Sequence, residues 1–213
     1  MARIIGTNGD DLLFGTPLFD FVDLLDGNDV FFTRGGGDFV LGGSGNDTLR
    51  GEAGKNTLIG ESGRDFCFGG DDNDLLDGGP GDDTLAGDRG NDKLNGGLGP
   101  DILRGGTGSD TFDYNFLADS GTGVGNRDII ADFFRGADKI DLSSIDANPG
   151  VAGNQAFNFI GTSGFTAPGQ VAISISPDTG GLRVLLNTDA DTQSEMQIEL
   201  TGQTTLSLND LFL

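Results

Sequence analysis

The chain has 213 residues, a formal net charge of −22 at pH 7, no histidine and a single cysteine. This composition excludes histidine-based and cysteine-based zinc centres and an intramolecular disulfide, and the negative charge opposes nucleic-acid binding. No apolar run reaches the ~18 residues that a membrane-spanning helix requires.

A nine-residue unit repeats twelve times from Gly6 to Asp113 without insertion or deletion, as in GGSGNDTLR at residues 42–50. The fourth position is mostly glycine, and the eighth is apolar or cysteine in every unit. A flexible Gly/Asp-rich linker has no reason to place an apolar residue at every ninth position, so the period indicates a repeat architecture. The sixth position is Asp in eleven units and Asn in one: Asp11, Asp20, Asp29, Asp38, Asp47, Asn56, Asp65, Asp74, Asp83, Asp92, Asp101 and Asp110.

Nine residues cannot form a core alone, so the units must stack on one another. We expect positions seven to nine to form a short strand whose eighth side chain points inward. The first six positions should form a turn in which glycine supplies positive φ. Two units then make one circuit, which gives two parallel sheets with strands ~4.8 Å apart. The predicted fold is all-β: a parallel β-roll, or β-solenoid, over residues 6–113, with Cys67 as a small core residue.

The sixth-position carboxylates of adjacent circuits should face the same gap on each edge of the roll. Carboxylates this close, flanked by carbonyl oxygens, repel one another unless a hard cation lies between them, and flexible all-oxygen ligation favours Ca²⁺ over Mg²⁺. About ten Ca²⁺ ions would nearly cancel the formal charge and would couple folding to metal binding. We expect weak or empty sites between Asp20 and Asp38, where residues 17–19 (PLF) replace the glycine-bearing turn, and around the uncharged Asn56. Along the edge formed by the odd-numbered units we expect full sites.

Positions seven and nine should point away from the interior, and in the N-terminal half of the roll they are largely apolar. An apolar patch this contiguous should not face water. We expect either that the C-terminal half folds back over it or that another chain covers it, most simply in a homodimer. The residues are Leu12, Phe14, Val30, Phe32, Phe66 and Phe68 in odd-numbered units, and Phe21, Phe39, Leu41 and Ile59 in even-numbered units.

The period ends at Asp113, and residues 114–213 are predicted to form a second, β-rich unit that caps the roll. Alternating apolar residues indicate strands in VAISIS (171–176), GLRVLLN (181–187) and MQIELTG (196–202). Asn187, Asp189 and Asp191 alternate as calcium-loop ligands often do, although too few glycines follow them for an EF-hand.

The GGxGxDxUx repeats resemble those of the RTX, or hemolysin-type, family of type I-secreted proteins. The second half resembles the C-terminal domain of serralysin-type (M10) proteases, a module related to the R-modules of mannuronan C-5-epimerases. The resemblance implies a β-roll with Ca²⁺ between adjacent turns, a cap with further Ca²⁺ ligands and a role in export. Asp128, Asp138 and Asp141 are candidate ligands in the cap. The matching segments are GSDTF (108–112), RDIIADFFRGADKIDLS (127–143), GNQAFNFIGT (153–162) and NTDADTQSEMQIELTG (187–202).

The chain ends in NDLFL, where Asp210, Leu211, Phe212 and Leu213 resemble the serralysin-type export signal. The alternative is a last strand that ends in the core, and the two interpretations can hold together. The start, MARIIGTNGDD, lacks the apolar segment of a Sec signal peptide. These features predict a secreted, extracellular protein whose partners are Ca²⁺ and a type I secretion apparatus.

A serralysin carries a His-rich zinc protease domain before its roll, and we expect no such domain here, so protease activity is not predicted. The leading hypothesis is a non-enzymatic Ca²⁺-binding protein that folds outside the cell. The alternatives are a polysaccharide-associated module like an epimerase R-module, an accessory domain of a secreted enzyme, and an enzyme that uses carboxylates alone. The first of these is disfavoured by scattered cations and the absence of tryptophan.

Overall fold

The computed structural model describes residues 1–213 and contains two sheets that hold nine and eleven strands. Two three-residue 3-10 turns, Leu117–Asp119 and Leu208–Asp210, are the only helical segments, which confirms the all-β class. Neither has the length or the apolar character needed to cross a membrane. The strands are β1 Ala2–Ile5, β2 Leu12–Phe14, β3 Asp20–Asp23, β4 Val30–Phe32, β5 Phe39–Ser44, β6 Thr48–Arg50, β7 Thr57–Ser62, β8 Phe66–Asp71, β9 Leu75–Pro80, β10 Thr84–Arg89, β11 Lys93–Leu98, β12 Ile102–Arg104, β13 Thr111–Asp113, β14 Asp128–Ile130, β15 Lys139–Asp141, β16 Asn158–Gly161, β17 Gln170–Ile175, β18 Leu182–Asn187, β19 Met196–Leu200 and β20 Leu211–Phe212.

Successive strands of the repeat region alternate between the two sheets. The first sheet has the order β1–β3–β5–β7–β9–β11–β13–β15–β20, and the second has the order β16–β17–β18–β19–β14–β12–β10–β8–β6–β4–β2. Within the repeats each strand pairs in parallel with the strand 18 residues further on, as Val40 pairs with Leu58 and Leu49 with Cys67. Two nine-residue units therefore make one circuit, and the predicted parallel β-solenoid is confirmed.

Several strands are longer than the sequence predicted. Six of them run for six residues and continue past the inward-pointing residue into the start of the next unit. In β5, Gly43 and Ser44 still pair with Glu61 and Ser62, and the φ of 103° at Gly43 bends the chain without ending the ladder. The expectation that all first six positions form the turn is therefore wrong in these units, because only positions four to six lie outside the strand.

The eighth-position side chains form a single row of core residues between the two sheets. Leu13, in the first circuit, is half-buried, and every later member of the row is fully buried. Burial of a side chain of this size contributes ~1.5–3 kcal/mol. Cys67 is a free, buried thiol in this row, as expected of a small core residue. The fully buried members are Val22, Phe31, Val40, Leu49, Leu58, Cys67, Leu76, Leu85, Leu94, Leu103 and Phe112.

The C-terminal half extends both sheets at the end of the roll that follows Asp113. Strands β14 and β15 pair in parallel with β12 and β13, so the first segments after the repeats add one more strand to each sheet. The antiparallel strands β17, β18 and β19 then join the second sheet through β14, and β20 joins the first through β15. One core of 30 buried residues runs through both halves.

The apolar outer face is covered only by its own side chains. The rings of Phe14 and Phe32 stack at 5.3 Å, and the Arg50 guanidinium lies 5.9 Å from the Phe32 ring and 4.6 Å from the Phe68 ring. Phe14 nevertheless remains 48% exposed. Because the C-terminal half stacks on the opposite end of the roll, it does not fold back over this face. The alternative cover, a homodimer, stays a prediction.

Two adjacent leucines test the assignment of inner and outer positions. Leu76 is 0% exposed and Leu75 is 40% exposed, although both lie in β9. We expect Leu76→Ala to lower the free energy of unfolding by ~2–5 kcal/mol, because it leaves a cavity in the core row. Leu75→Ala is the matched control and should cost under ~1 kcal/mol. Urea denaturation in saturating Ca²⁺ measures both, and equal costs would contradict the inward row.

Candidate metal centre

Two ladders of side chains run along the two edges of the roll. In each, the backbone N–H of a sixth-position residue donates to the side chain of its equivalent one circuit later, as Asp29 donates to Asp47 Oδ1 at 2.8 Å. The 18-residue register causes this contact, because it brings equivalent residues of successive circuits together. The first ladder joins Asp11, Asp29, Asp47, Asp65, Asp83, Asp101 and Asp128. The second joins Asp20, Asp38, Asn56, Asp74, Asp92, Asp110 and Asp138.

The other carboxylate oxygen, Oδ2, is the unsatisfied atom of the ladders. The N–H groups that form the ladders donate only to Oδ1, and ten buried Oδ2 atoms have no hydrogen-bond partner. A buried polar atom without a partner costs ~1–3 kcal/mol, and more when the group is charged. Ten such atoms on one small protein require a common explanation. They belong to Asp29, Asp38, Asp47, Asp65, Asp74, Asp83, Asp92, Asp101, Asp110 and Asp128.

The first-position glycines keep open the space beside each Oδ2. A Cβ atom added to Gly42 would lie 2.7 Å from Asp47 Oδ2 and 2.6 Å from the backbone oxygen of Gly60, its equivalent one circuit later. Gly78 stands in the same relation to Asp83 and to the oxygen of Gly96. Glycine is needed here because of this close approach, and the space it leaves is bordered by carboxylate and carbonyl oxygens.

These oxygens fit a calcium ion. Carboxylate and backbone carbonyl oxygens are the ligands that Ca²⁺ takes at flexible geometry, whereas Mg²⁺ demands near-ideal octahedra and retains water. In each complete unit the sixth-position Oδ2 and the first-position carbonyl oxygen of the next circuit would hold the ion. The bound ion would supply the positive charge that the buried carboxylates lack.

Asn56 shows what happens in a unit without the carboxylate. Its Oδ1 accepts from the Asp38 N–H at 3.0 Å, exactly the ladder contact made elsewhere by Asp Oδ1. Its Nδ2 donates to the backbone oxygens of Gly51 and Gly54 at 3.0 and 2.8 Å. The amide nitrogen therefore takes the place beside Gly51 that Asp47 Oδ2 takes beside Gly42, and it is satisfied by carbonyl oxygens. The weak site around Asn56 stays a prediction, and this geometry gives its physical reason.

Threonines satisfy the carboxylates of the first circuit. Thr7 donates its N–H and hydroxyl to Asp11 Oδ2, at 2.6 and 3.0 Å. Thr16 donates its N–H to Asp20 Oδ2 at 2.6 Å and its hydroxyl to Oδ1. Neither aspartate appears among the unsatisfied groups. Residues 17–19 predict a weak site at Asp20, whereas a full site is expected at Asp11 on the odd edge. Threonine at the second position of both units is the sequence signal for these donors.

The three cap aspartates predicted as ligands lie in different surroundings. Asp128 continues the first ladder, and its Oδ2 is buried without a donor. Asp138 ends the second ladder, where the Phe134 N–H donates to its Oδ2 at 2.7 Å. Asp141 belongs to neither ladder, because it lies at the outward-facing end of β15 and accepts from Ser143. Asp128 comes nearest of the three to the geometry of the repeat carboxylates, and unlike them it has the Tyr114 hydroxyl beside it.

Burial raises the pKa of the ladder carboxyls from Asp29 onward in the metal-free protein. It raises the pKa of Asp83 to about 8 and that of Asp47 to about 7, and neighbouring ladder carboxylates add to the effect. The pKa values of Asp74 and Asp101 rise to about 7 for the same reason. At neutral pH the folded, metal-free ladders must therefore hold protons or bear buried, uncompensated charge.

The whole chain matches the model of one protein family. Residues 2–213 match the family described as peptidase M10 serralysin C terminal. The chain belongs to this family. The match runs through the repeats and the cap together, in agreement with the continuous sheets and the shared core. It supports Ca²⁺ as the ion for the ladders, as the RTX-type repeats of this serralysin C-terminal domain imply.

Two solved structures are similar to this serralysin C-terminal chain, both of them subunits of the Azotobacter vinelandii mannuronan C5-epimerase. The solution structure of the AlgE6R3 subunit is 25% identical, with 97% of this chain and 79% of that chain covered and a TM-score of 0.36. The AlgE6R2 subunit is also 25% identical, with 80% and 87% covered and a TM-score of 0.44. No curated protein sequence matches the chain.

The raised pKa values predict that acid folds the metal-free chain. Asp83 has a pKa near 3.8 when unfolded and about 8 when folded, and burial raises the pKa of Asp47, Asp74 and Asp101 to about 7, so the folded state binds protons more tightly. The stability of the metal-free protein should therefore fall as pH rises from about 4 to about 8, and return on acidification. Far-UV circular dichroism in a chelator measures this, and β structure that is lost on acidification would contradict it. The Ca²⁺-loaded protein is the control and should be stable at pH 7.

Asn56→Asp should add one calcium ion to the chain. The new Oδ2 would replace the Nδ2 donor beside Gly51, where the complete units hold a carboxylate oxygen without a hydrogen-bond partner. Equilibrium dialysis with atomic emission measures the change in bound Ca²⁺. The matched control is Asn91→Asp, which adds the same charge at an exposed fifth position outside the ladders. An unchanged ion count in Asn56→Asp would show that the carboxylate is not the deciding ligand.

Proposed function

We propose that this protein is a secreted Ca²⁺-binding β-roll that folds when it meets extracellular Ca²⁺. The observation that carries the proposal is the set of ten buried Oδ2 atoms without a donor, arranged in two ladders. The family supports the choice of ion, since serralysin C-terminal domains carry RTX-type repeats. Because the ladder aspartates already serve this purpose, we also propose that the chain has no catalytic role of its own.

The ladders couple folding to metal binding through charge. Inside a cell, where Ca²⁺ is scarce, closing the roll would bury aspartates that face one another without compensation, and the chain would stay unfolded. In an extracellular medium, sites with the ~10⁻⁴–10⁻³ M affinity of extracellular modules would fill. The free energy of binding then becomes free energy of folding, because the unfolded chain holds no formed site.

The first circuit of the roll differs from the later circuits in its need for metal. Asp11 and Asp20 are satisfied by threonines, whereas from Asp29 onward every repeat aspartate in both ladders has an unsatisfied Oδ2. Asn56 is the one interruption, because its amide satisfies neighbouring carbonyl oxygens. We infer that the first circuit forms with the least help from Ca²⁺ and that the later circuits depend on it.

The C-terminal residues support export before folding. In the folded protein Asp210 accepts from the Gly136 N–H at 3.0 Å and lies 3.5 Å from Arg135 Nε. Leu211 is 6% exposed and pairs with Ile140 in the first sheet. The segment that resembles an export signal is thus also a final strand. A type I secretion apparatus could reach all of it only in the unfolded chain.

A calcium titration tests the proposed function directly. We expect far-UV circular dichroism to show a largely disordered chain in EDTA at pH 7.5–8 and a cooperative gain of β structure as Ca²⁺ rises to about 1 mM. Mg²⁺ at the same concentration is the control and should produce little change, because it resists flexible all-oxygen sites. A β spectrum that persists in thorough chelation would sink the proposal.

A substitution at Phe212 tests the role of the C-terminus in export separately from its role in folding. Its ring is 47% exposed, so Phe212→Ser should leave Ca²⁺-dependent folding within ~0.5 kcal/mol of the original. If the exporter recognises the last four residues, Phe212→Ser should lower the amount of protein secreted by a type I system several-fold. Phe134→Ser, which alters a ring 68% exposed and outside that segment, is the control. Equal secretion of both variants would show that Phe212 is not part of the export signal.

A polysaccharide-associated role is the second candidate. The observation in its favour is the contact of arginines with rings on the outer face of the second sheet: Arg34, in the turn after β4, lies 5.1 Å from the Phe14 ring, and Arg64, just before β8, lies 5.5 Å from the Phe66 ring. Such pairs offer both stacking and positive charge to an anionic sugar chain. The net charge of −22 opposes this reading, so we rank it below Ca²⁺-dependent folding.

A further inference from the structure

The hairpin loop of the cap brings together three carboxylates that the ladders do not include. This loop joins β18 to β19 and contains Asp189, Asp191 and Glu195. One carboxylate oxygen from each lies within 4.8 Å of the other two. None of the three takes part in any of the five salt bridges of the chain, so no side-chain cation balances them.

The loop backbone holds each carboxylate in place. Thr188 donates its N–H to Glu195 Oε2 at 2.6 Å, and Asp191 donates its N–H to Asp189 Oδ1 at 2.8 Å. Gln193 donates its N–H to Asp191 Oδ1 at 2.6 Å. Each carboxylate thus has an oxygen tied to the loop and a further oxygen free of these contacts. Three like charges are held close together, which is unfavourable unless a cation joins them.

Asn187 adds an independent observation at the base of the loop. It is fully buried, and its Nδ2 donates to the backbone oxygens of Asp191 and Gln193 at 3.0 and 2.8 Å. The amide therefore lies inside the loop that carries the carboxylates. Its Oδ1 is buried and has no donor. A buried amide oxygen rarely stays unsatisfied, and a cation in the loop is the partner that the surrounding chemistry offers.

We propose that this loop binds one Ca²⁺, separately from the two ladders. Asp189, Asp191 and Glu195 supply carboxylate oxygens, and the buried, unpartnered Oδ1 of Asn187 at the base of the loop is the candidate for a fourth oxygen. The set contains only oxygen, and two of the carboxylates are exposed on a loop, so its geometry is adjustable and suits Ca²⁺ better than Mg²⁺. Bound Ca²⁺ would order the turn between β18 and β19, and β19 is the strand that joins the cap to the roll through β14.

Anomalous scattering from crystals of the unaltered full chain grown in Ca²⁺ gives the first test. We expect a peak among Asp189, Asp191 and Glu195, in addition to any peaks along the ladders. Occupied ladders together with no peak at the loop would overturn this proposal and leave the proposed function standing. A peak at the loop with none along the ladders would do the reverse. The two proposals can therefore fail independently.

A charge-neutral variant gives the second test, in solution. We expect Asp189→Asn combined with Asp191→Asn to lower the Ca²⁺ bound at saturation by one ion per chain, measured by equilibrium dialysis. The control combines Asp23→Asn with Asp26→Asn, which removes two charges outside the ladders and the loop and should leave the count unchanged. An unchanged count in the loop variant would overturn the proposal. If the loop variant does not fold, Glu195→Gln measured in the same way replaces it, and the scattering experiment on the unaltered chain still decides.

Discussion

The structure depends on one recurring atom, a buried carboxylate oxygen that no donor reaches. The strand register places each sixth-position side chain under the backbone N–H of its equivalent in the previous circuit, so Oδ1 is always satisfied. The same contact turns Oδ2 toward carbonyl oxygens, where only a cation can complete the site. The roll therefore gains a regular backbone and, as a direct consequence, a requirement for positive charge in every complete circuit.

This requirement also explains why the repeat contains so much glycine. At first positions such as Gly42 the need is space, since a Cβ would occupy the gap beside Asp47 Oδ2. At second positions such as Gly43 the need is both positive φ and space, since a Cβ there would collide with the backbone oxygen of Leu25 in the previous circuit. Where a second position carries a side chain the left-handed conformation is kept: Glu61 and Asp88 both have φ of 70°, at a cost of ~1–2 kcal/mol each.

The sequence alone predicts those features of the structure that repeat with the nine-residue period. The parallel pairing, the inward row from Val22 to Phe112 and the two edges of carboxylates all repeat every 18 residues, so one correct unit predicts the rest. Features that break the period were harder to foresee. That Thr7 and Thr16 donate hydrogen bonds to the neighbouring aspartates could be recognised only once the position of Oδ2 was known. The β-rich cap at the end of the roll was predicted, but its strand order was not, because pairing between distant segments such as β14 and β19 leaves no local signal in the sequence.

The ladders do not stop where the repeat stops, and this links the two halves of the chain. Asp101 donates its N–H to Asp128 at 3.0 Å, and Asp110 donates to Asp138 at 3.1 Å, across insertions that destroy the nine-residue period. Asp128 keeps an unsatisfied oxygen, whereas Asp138 receives a second donor from Phe134. One edge of the cap thus shares the metal requirement of the roll, and the other edge is closed by its own backbone. Asp128 begins β14, and β14 pairs with β19, the strand that follows the proposed calcium loop. Ions bound at the last ladder site and in the loop would therefore stabilise the same pair of strands. Cap and roll should therefore become ordered together, with Ca²⁺ binding in the ladders and in the loop stabilising a single continuous sheet.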